Sequence, residues 1–301
     1  MSEVLTIGPS WKGFQSIGRL IIFGDSYSAV THGEHDAITS TPNDPLGCGF
    51  PGDGVWTEIH LPNWVGHLIT KYRPGPKYSP PKTDADDEDD NASSEDEQEW
   101  VDNPLLVHDY ARGGDVIDGV KRQIERCFLP KLGARTEIQW TAEETLFVIW
   151  VGINDCGRGI LSEIAMEKLS KQLDNLHRVG ARNFVVVDVP PVQRSPAVPQ
   201  NRPERVERVE AIVNQWNSDL EQTLKAFVGG HSDTSTFLYS SSAFFNALLD
   251  NPVAFGFDAG EGSKIGRDVW IDHIHPTSRV HDCLARDMAS FLSGISAAPT
   301  I

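Results

Sequence analysis

Short apolar runs alternate along this chain with longer segments in which apolar residues recur every three or four positions. Several of the short runs are almost continuously apolar, which is typical of strands that are covered on both faces of a sheet. The runs that predict strands are RLIIF (19–23), PLLVHDY (104–110), TLFVIWV (145–151), NFVVVDV (183–189) and STFLYS (235–240).

The longer segments predict amphipathic helices. The clearest one, 203–228, opens with Pro203 and places seven apolar side chains on one face. Another covers 161–179, where a glycine follows, and a last helix comes after Pro276. Because strands and helices alternate, we predict an α/β fold, a three-layer α/β/α sandwich with a central parallel sheet. In such sheets the ligand site lies at the carboxyl ends of the strands.

The charge of the chain is concentrated in one tract. The formal net charge is −17 over 301 residues, but residues 84–99 alone hold ten acidic residues and no Lys or Arg. We interpret this tract as a disordered acidic surface insertion, at about 80–100, in a single domain spanning 1–301. A binding tract is the alternative. The acidity of the whole chain argues against a nucleic-acid partner.

Other bulk features narrow the class of protein. No apolar run reaches the ~18 residues that a membrane span needs, so we expect no membrane partner. The first 20 residues lack the basic start and apolar core of a secretory signal, which favours a cytoplasmic protein; secretion is the alternative if a signal has been removed. The four cysteines show neither CxxC pairing nor metal-ligand spacing, and we expect them to be free and mostly buried.

The first candidate for chemistry is the stretch Gly-Asp-Ser-Tyr (24–27), directly after a predicted strand. Gly24 permits a tight turn, which would expose the Ser26 hydroxyl at the carboxyl edge of the sheet. The alternative is that Asp25 or Ser26 simply caps the next helix. We favour capping from this tetrapeptide alone, because such boundaries are common.

Two later segments offer hydrogen-bond donors after predicted strands. DYARGGDVID (109–118) contains paired glycines whose backbone N–H groups lie near a helix start, although a plain glycine turn would look the same. VGINDCGRG (151–159) places Asn154 just past a strand, where its amide suits a developing oxyanion. An Asx turn is the alternative for this asparagine.

The fourth segment, WIDHIHPT (270–277), precedes the final predicted helix. Asp272 and His275 are three residues apart, so one carboxylate can orient one ring nitrogen and leave the other free. His273 and His281 are the local competitors. Each of the four segments is ambiguous by itself, but together they supply a nucleophile, a base, an orienting acid and oxyanion donors, the parts of an acyl-transfer site.

In the same order, the four segments resemble the four motif blocks of the GDSL esterases, also called SGNH hydrolases. Gly24-Asp25-Ser26 resembles the first block, Gly114 the second, Gly152-x-Asn154-Asp155 the third and Asp272-x-x-His275 the last. The stretches LPNWVGHL (61–68), GARNFVVVDVPPVQRSP (180–196) and NPVAFGFD (251–258) extend the resemblance over most of 19–293. Within the family, the chain is most similar to fungal acetylesterases of carbohydrate esterase family 16. One departure is Asp109, which stands where the second block usually has asparagine.

The resemblance implies the flavodoxin-like SGNH hydrolase fold and an ester hydrolase. It implies Ser26 as nucleophile, His275 as general base, Asp272 as the acid that orients it, and an oxyanion hole of the Ser26 and Gly114 N–H groups and the Asn154 amide. It further implies no metal or organic cofactor, and a structural role for Asp25.

The resemblance also implies short acyl chains, acetyl above all, on a small molecule or an oligosaccharide. Trp56, Trp64 and Trp270 are candidates for a sugar-binding surface or for the core, and we favour the core for Trp64. The alternatives for function are an acyltransferase that uses the same triad and a non-catalytic scaffold that docks partners through the acidic tract.

Overall fold

The computed structural model describes residues 1–32, 40–81, 103–134, 140–260, 262 and 264–299. Six strands form one sheet in the order β1-β6-β5-β4-β2-β3. Their bounds are β1 Glu3–Thr6, β2 Arg19–Gly24, β3 Leu106–Asp109, β4 Thr145–Trp150, β5 Asn183–Val187 and β6 Ser235–Tyr239. Strands β2 to β6 are parallel, and β1 pairs antiparallel with β6 at the edge.

Helices cover both faces of this sheet. The α-helices are α1 Trp64–His67, α2 Ile117–Arg122, α3 Ile153–Arg158, α4 Ser162–Arg178, α5 Pro203–Gly230, α6 Ser241–Asp250 and α7 Ser278–Ser293. Wider π-helical turns extend α1 over Leu68–Tyr72 and α2 over Gln123–Gly133. Helices α2, α4 and α5 pack side by side in one layer, while α1, α6 and α7 form the other.

The predicted three-layer α/β/α sandwich is confirmed. Without β1, the strand order is the flavodoxin-like one, in which the connections run first to one side of a starting strand and then to the other. The sequence did not predict β1, which runs antiparallel to β6 at one edge of the otherwise parallel sheet. Its four residues, EVLT, are exposed or half-buried and form no apolar run, as is common for edge strands.

The core lies between the sheet and both helix layers. Strands β4 and β5 are buried at every position, which explains their continuous apolar sequences. The α5 residues Val213, Trp216 and Leu220 are buried against this sheet, in keeping with the predicted amphipathic face.

Other predictions from the sequence have mixed outcomes. The acidic insertion lies outside the described residues. All four cysteines are free, with Cys156 and Cys283 buried and Cys48 and Cys127 half-buried. Among the helices that the structure describes, none combines the length and apolar character that crossing a membrane requires.

Candidate active site

The turn after β2 is held in place from two sides. A Cβ at Gly24 would lie 2.4 Å from the carbonyl oxygen of Trp150 on the neighbouring strand, so only glycine fits. From α2's extension, the amide of Gln123 accepts from the Gly24 N–H at 2.9 Å and donates to the Gly24 carbonyl at 2.8 Å. The following residue, Ser26, therefore leaves the sheet from a firmly anchored point.

Ser26, His275 and Asp272 form a continuous hydrogen-bonded chain. The Ser26 Oγ lies 2.9 Å from Nε2 of His275, and Nδ1 of His275 lies 2.7 Å from Oδ2 of Asp272. Ser26 is 7% exposed and His275 8% exposed, so both are shielded but open to a small ligand. This is the arrangement of a serine hydroxyl, a base and an orienting acid in a hydrolase triad.

Asp272 is held as a carboxylate by the loop around it. Its Oδ1 accepts the backbone N–H groups of Ile274 and His275, both at 2.8 Å. Partial burial favours a higher pKa for Asp272, but the hydrogen bonds from His275 and Ile274 outweigh it, and the pKa lies below its ordinary value. The acid is therefore ionised at neutral pH and its orientation is fixed.

Asp25 lies next to Ser26 in a different environment. It is fully buried, its Oδ1 accepts the Tyr27 N–H at 3.1 Å, and its backbone carbonyl accepts from Ser28 and Ala29. Desolvation raises the pKa of Asp25 to about 7, and the nearby carboxylates of Asp155 and Asp115 add to this rise. These contacts are those of a residue that shapes the turn.

The three groups predicted to be oxyanion donors belong to residues that follow the carboxyl ends of β2, β3 and β4. Among the described residues, the N–H groups of Ser26 and Gly114 meet no hydrogen-bond acceptor. Gly114 has φ +78°, which only glycine adopts without strain. The Asn154 amide, on the first turn of α3, donates to the carbonyl of Asp115 at 3.0 Å and more weakly to Asp25 Oδ2 at 3.4 Å. These contacts fix the amide's orientation.

Asp109, the departure from the family pattern, keeps the turn after β3 hydrogen-bonded. Its Oδ1 accepts the Ala111 N–H at 2.8 Å in a buried position. Burial raises the pKa of Asp109 well above its ordinary value, which favours the neutral form of this carboxyl group.

The three tryptophans considered for ligand binding occupy different positions. Trp64 and Trp270 are buried in the core, and Trp270 therefore offers no binding surface. Trp56 is 37% exposed and stacks on the His275 ring, with ring centroids 4.8 Å apart and planes 28° apart. Its ring also covers Gly113, where a Cβ would lie 2.5 Å from the indole. Trp56 thus bridges the base and the loop that carries Gly114.

Two residues that sequence reasoning did not assign link parts of the site. The Tyr27 hydroxyl donates to the Ile274 carbonyl at 2.6 Å, which ties the serine turn to the histidine loop. Gln123 clamps Gly24, as described above. In the sequence, the only signal for Tyr27 is that it follows Gly24-Asp25-Ser26 directly. The only signal for Gln123 is that a polar residue occupies the buried face of a helix.

The competing histidines are not placed against Ser26. His281 is buried within α7, and His273 is exposed, with Nδ1 4.0 Å from Asp272 Oδ1. Of these three described histidines, His275 alone forms a hydrogen bond with the serine hydroxyl.

The sequence model of the GDSL-like lipase/acylhydrolase family matches residues 20–288, and the chain belongs to that family. It is 29% identical to an acetylesterase of Thermothelomyces thermophilus over 297 residues, covering 91% of this chain and 88% of that protein. It is 25% identical to a GDSL esterase/lipase of Arabidopsis thaliana over 158 residues, 44% of each chain.

Solved structures with a similar chain path include a lipase/acylhydrolase from Enterococcus faecalis. That comparison has a TM-score of 0.48 at 12% identity and covers 92% of this chain and 95% of that one. A G-D-S-L family protein from Veillonella parvula gives a TM-score of 0.46 at 15% identity, covering 92% and 99%. The family membership and the curated relatives identify the protein as a carboxylic ester hydrolase.

Proposed function

We propose that the protein is a serine esterase that removes short acyl groups, acetyl above all, from a sugar or another small alcohol through an acyl-enzyme on Ser26. The observation that carries this proposal is the hydrogen-bonded chain from Ser26 through His275 to Asp272. The similarity over 91% of the chain to a protein named acetylesterase supports the acyl preference.

In the first step, Ser26 Oγ attacks the ester carbonyl carbon while Nε2 of His275 takes its proton. Asp272, ionised because its hydrogen bonds lower its pKa, holds the Nδ1 proton and stabilises the imidazolium. The carbonyl oxygen becomes an oxyanion, which the N–H groups of Ser26 and Gly114 bind. The Asn154 amide joins them by turning one N–H away from its weak 3.4 Å contact with Asp25 Oδ2.

Collapse of this intermediate breaks the bond to the leaving oxygen, and His275 gives its proton to the departing alcohol. Water then enters, His275 takes one of its protons, and the resulting hydroxide attacks the acyl-enzyme. The carboxylic acid leaves and Ser26 regains its proton.

The position of Trp56 indicates that the enzyme recognises the alcohol part of its ester substrate. Its indole covers one face of the His275 ring and remains partly open to solvent. Because His275 protonates the leaving oxygen, the alcohol departs next to this ring. Aromatic faces suit the stacking of sugars, and a ring over an imidazolium also stabilises its charge.

The nucleophile is tested with a fluorophosphonate probe followed by peptide mass spectrometry. We expect the probe on the peptide that contains Ser26, loss of labelling in Ser26→Ala, and retained labelling in Ser28→Ala. Ser28 is the matched control because its hydroxyl accepts from Trp64 Nε1 instead of facing His275. Labelling that survives in Ser26→Ala would overturn the assignment.

The acyl and alcohol preferences are tested with p-nitrophenyl esters from acetate to octanoate and with acetylated sugars. We expect kcat/KM to fall steeply with acyl length. Trp56→Ala is expected to raise KM for an acetylated disaccharide more than KM for p-nitrophenyl acetate. Equal rates on acetate and octanoate would refute the short-chain preference, and equal KM changes would refute the role of Trp56 in sugar binding.

A further inference from the structure

A second cluster of titratable side chains lies at the opposite end of the sheet's strands from the triad. His177 is in the last turn of α4, His231 directly follows α5, and Asp233 lies in the turn before β6. Since β5 and β6 begin just beyond these residues, the cluster is at the amino ends of the strands. The candidate active site lies at their carboxyl ends, so the cluster takes no part in the proposed ester chemistry.

The three side chains converge on one point. One ligand atom from each, an imidazole nitrogen or a carboxylate oxygen, lies within 4.8 Å of the other two. Nε2 of His177 is 2.9 Å from Oδ1 of Asp233, and the rings of His177 and His231 face each other with centroids 4.1 Å apart. All three are half-buried, which leaves the point reachable from solvent.

From this convergence we propose that His177, His231 and Asp233 bind a divalent transition-metal ion of the Zn²⁺ type. Ligands on tetrahedral zinc bond at about 2.0–2.2 Å, which places ligand atoms about 3.4 Å from one another. Small movements of the half-buried side chains bring the three atoms from their present separations to that spacing. Water completes the coordination.

The donor set selects the kind of metal. Two imidazoles and one carboxylate suit zinc and its first-row neighbours, whereas Ca²⁺ and Mg²⁺ prefer sites made of oxygen alone. On binding, the metal replaces the proton between His177 Nε2 and Asp233 Oδ1, and that proton is released to the solvent. No redox change accompanies this exchange.

Neighbouring groups hold the ligands in place without blocking them. Arg182 Nε lies 2.8 Å from Oδ2 of Asp233, and His177 Nε2 lies nearer to Oδ1, at 2.9 Å, than to Oδ2, at 3.2 Å. Asp174 Oδ1 lies 2.9 Å from Nε2 of His231 and orients that ring, as carboxylates commonly do around ligating histidines. With two carboxylates against one guanidinium, the cluster carries an excess of negative charge that favours a cation.

A bound ion would join three separate parts of the chain, the ends of α4 and α5 and the entry to β6. An ion that binds the folded state and not the unfolded state raises stability as its concentration rises. The proposal therefore predicts a metal-dependent increase in Tm as well as metal uptake.

The test uses the full-length protein, stripped with a chelator, and ZnCl₂ as the probe. Isothermal titration calorimetry and thermal unfolding are run on wild type and on His177→Gln and His231→Gln, whose side chains still form hydrogen bonds. His60→Gln controls for adventitious binding to a histidine outside the cluster. We expect one zinc equivalent and a rise in Tm for wild type and His60→Gln, with both lost in His177→Gln and His231→Gln.

Asp174→Asn adds a graded variant. Loss of a carboxylate that orients a ligating histidine typically weakens metal affinity about 10- to 100-fold, and we expect a change of that size. The proposal is overturned if wild type takes up no zinc at millimolar concentration, or if the two cluster variants bind with the same stoichiometry and affinity as wild type. Each variant's Tm without metal serves as its own reference, so a folding defect is not mistaken for lost binding.

Discussion

Two carboxylate–imidazole pairs lie at opposite ends of the sheet's strands and have similar nitrogen–oxygen distances. The separation is 2.7 Å between Asp272 Oδ2 and His275 Nδ1 at the carboxyl edge, and 2.9 Å between Asp233 Oδ1 and His177 Nε2 at the amino edge. What differs is the third group. His275 meets a serine hydroxyl with its other nitrogen, whereas the ring of His177 faces a second imidazole.

This comparison shows that the spacing of an aspartate and a histidine in the sequence does not determine whether the two side chains bond to each other. Asp174 and His177 have the same Asp-x-x-His spacing as Asp272 and His275. On helix α4, however, Asp174 bonds to His231 from another element. In the loop before α7, Asp272 also accepts two backbone N–H groups, and these bend the chain until its carboxylate reaches the imidazole three residues on. The backbone conformation therefore decides which aspartate orients which histidine.

The largest difference between the two pairs is expected when each histidine is replaced by glutamine. His275→Gln is expected to lower kcat/KM on p-nitrophenyl acetate by roughly 10⁴- to 10⁶-fold, because no base remains to take the Ser26 proton. His177→Gln should leave kcat/KM close to wild type. His273→Ala is the control for a nearby histidine. Activity of His275→Gln within tenfold of wild type would contradict the assignment.

The two aspartates are expected to differ next most strongly. In Asp272→Asn an amide meets the Nδ1 side of His275 and favours the wrong tautomer, so kcat should fall about 10⁴-fold. Asp233→Asn should leave kcat unchanged and alter stability by about 0–1 kcal/mol, since its ion pair with Arg182 is partly exposed. Steady-state kinetics and urea unfolding of both variants give the comparison. Equal losses of kcat would mean that Asp272 has no special role.

A smaller effect is expected for the oxyanion donor. Asn154→Ala should lower kcat about 10²- to 10³-fold with little change in KM, because the amide acts on charge that develops only in the transition state. Thermal unfolding must be measured alongside, since Asn154 also donates to the Asp115 carbonyl. A variant that lost thermal stability but kept its kcat would show a structural role alone.

The last comparison concerns the dependence of stability on pH, which should have opposite signs at the two ends of the sheet. Burial raises the pKa of Asp25 to about 7, so its contribution to stability is complete below its unfolded pKa, near 4, and is lost as pH rises towards 7. The pKa of Asp233 is lowered: burial opposes this, but the hydrogen bond from His177 and the charge of Arg182 outweigh it. Its contribution is present above the unfolded pKa and is lost as pH falls through the folded pKa.

Asp25→Asn should therefore gain free energy of unfolding relative to wild type between pH 4 and pH 7, by about 1.4 kcal/mol for each unit of pKa shift removed. Asp233→Asn should differ from wild type by a constant amount over that range and converge with it only in acid. Urea unfolding at pH 3, 5 and 8 measures both trends. Parallel pH profiles for wild type and Asp25→Asn would contradict a raised pKa.

The parts of the fold that the sequence predicted are those in which burial governs residue choice. Five strands are apolar enough to stand out, and the helix predicted over 203–228 is observed as Pro203–Gly230. The edge strand β1 was not predicted, because its exposed and half-buried positions do not require apolar residues. The positions predicted for site residues follow from the topology, since the loops after parallel strands meet at one edge.

The features that were missed depend on contacts between distant residues. Nothing local to Gln123 indicates that its amide holds both backbone groups of Gly24, 99 positions away. Trp56 and Trp270 both looked like candidates for a binding surface, yet one stacks on His275 and the other lies in the core. The path of the surrounding loops determines which tryptophan stays accessible to solvent. The periodicity of apolar residues in the sequence does not predict that path.

The hydrogen bond between Ser26 and His275 joins positions 249 residues apart. During synthesis the serine leaves the ribosome long before the histidine, and between them lie four of the six strands. Ester turnover that depends on this pair can start only when the chain has been made as far as the loop that carries His275 and the sheet has assembled. Hydrolysis of a chromogenic ester would then report molecules in which both residues are present and the sheet is folded, which makes the activity a convenient reporter in refolding and translation experiments.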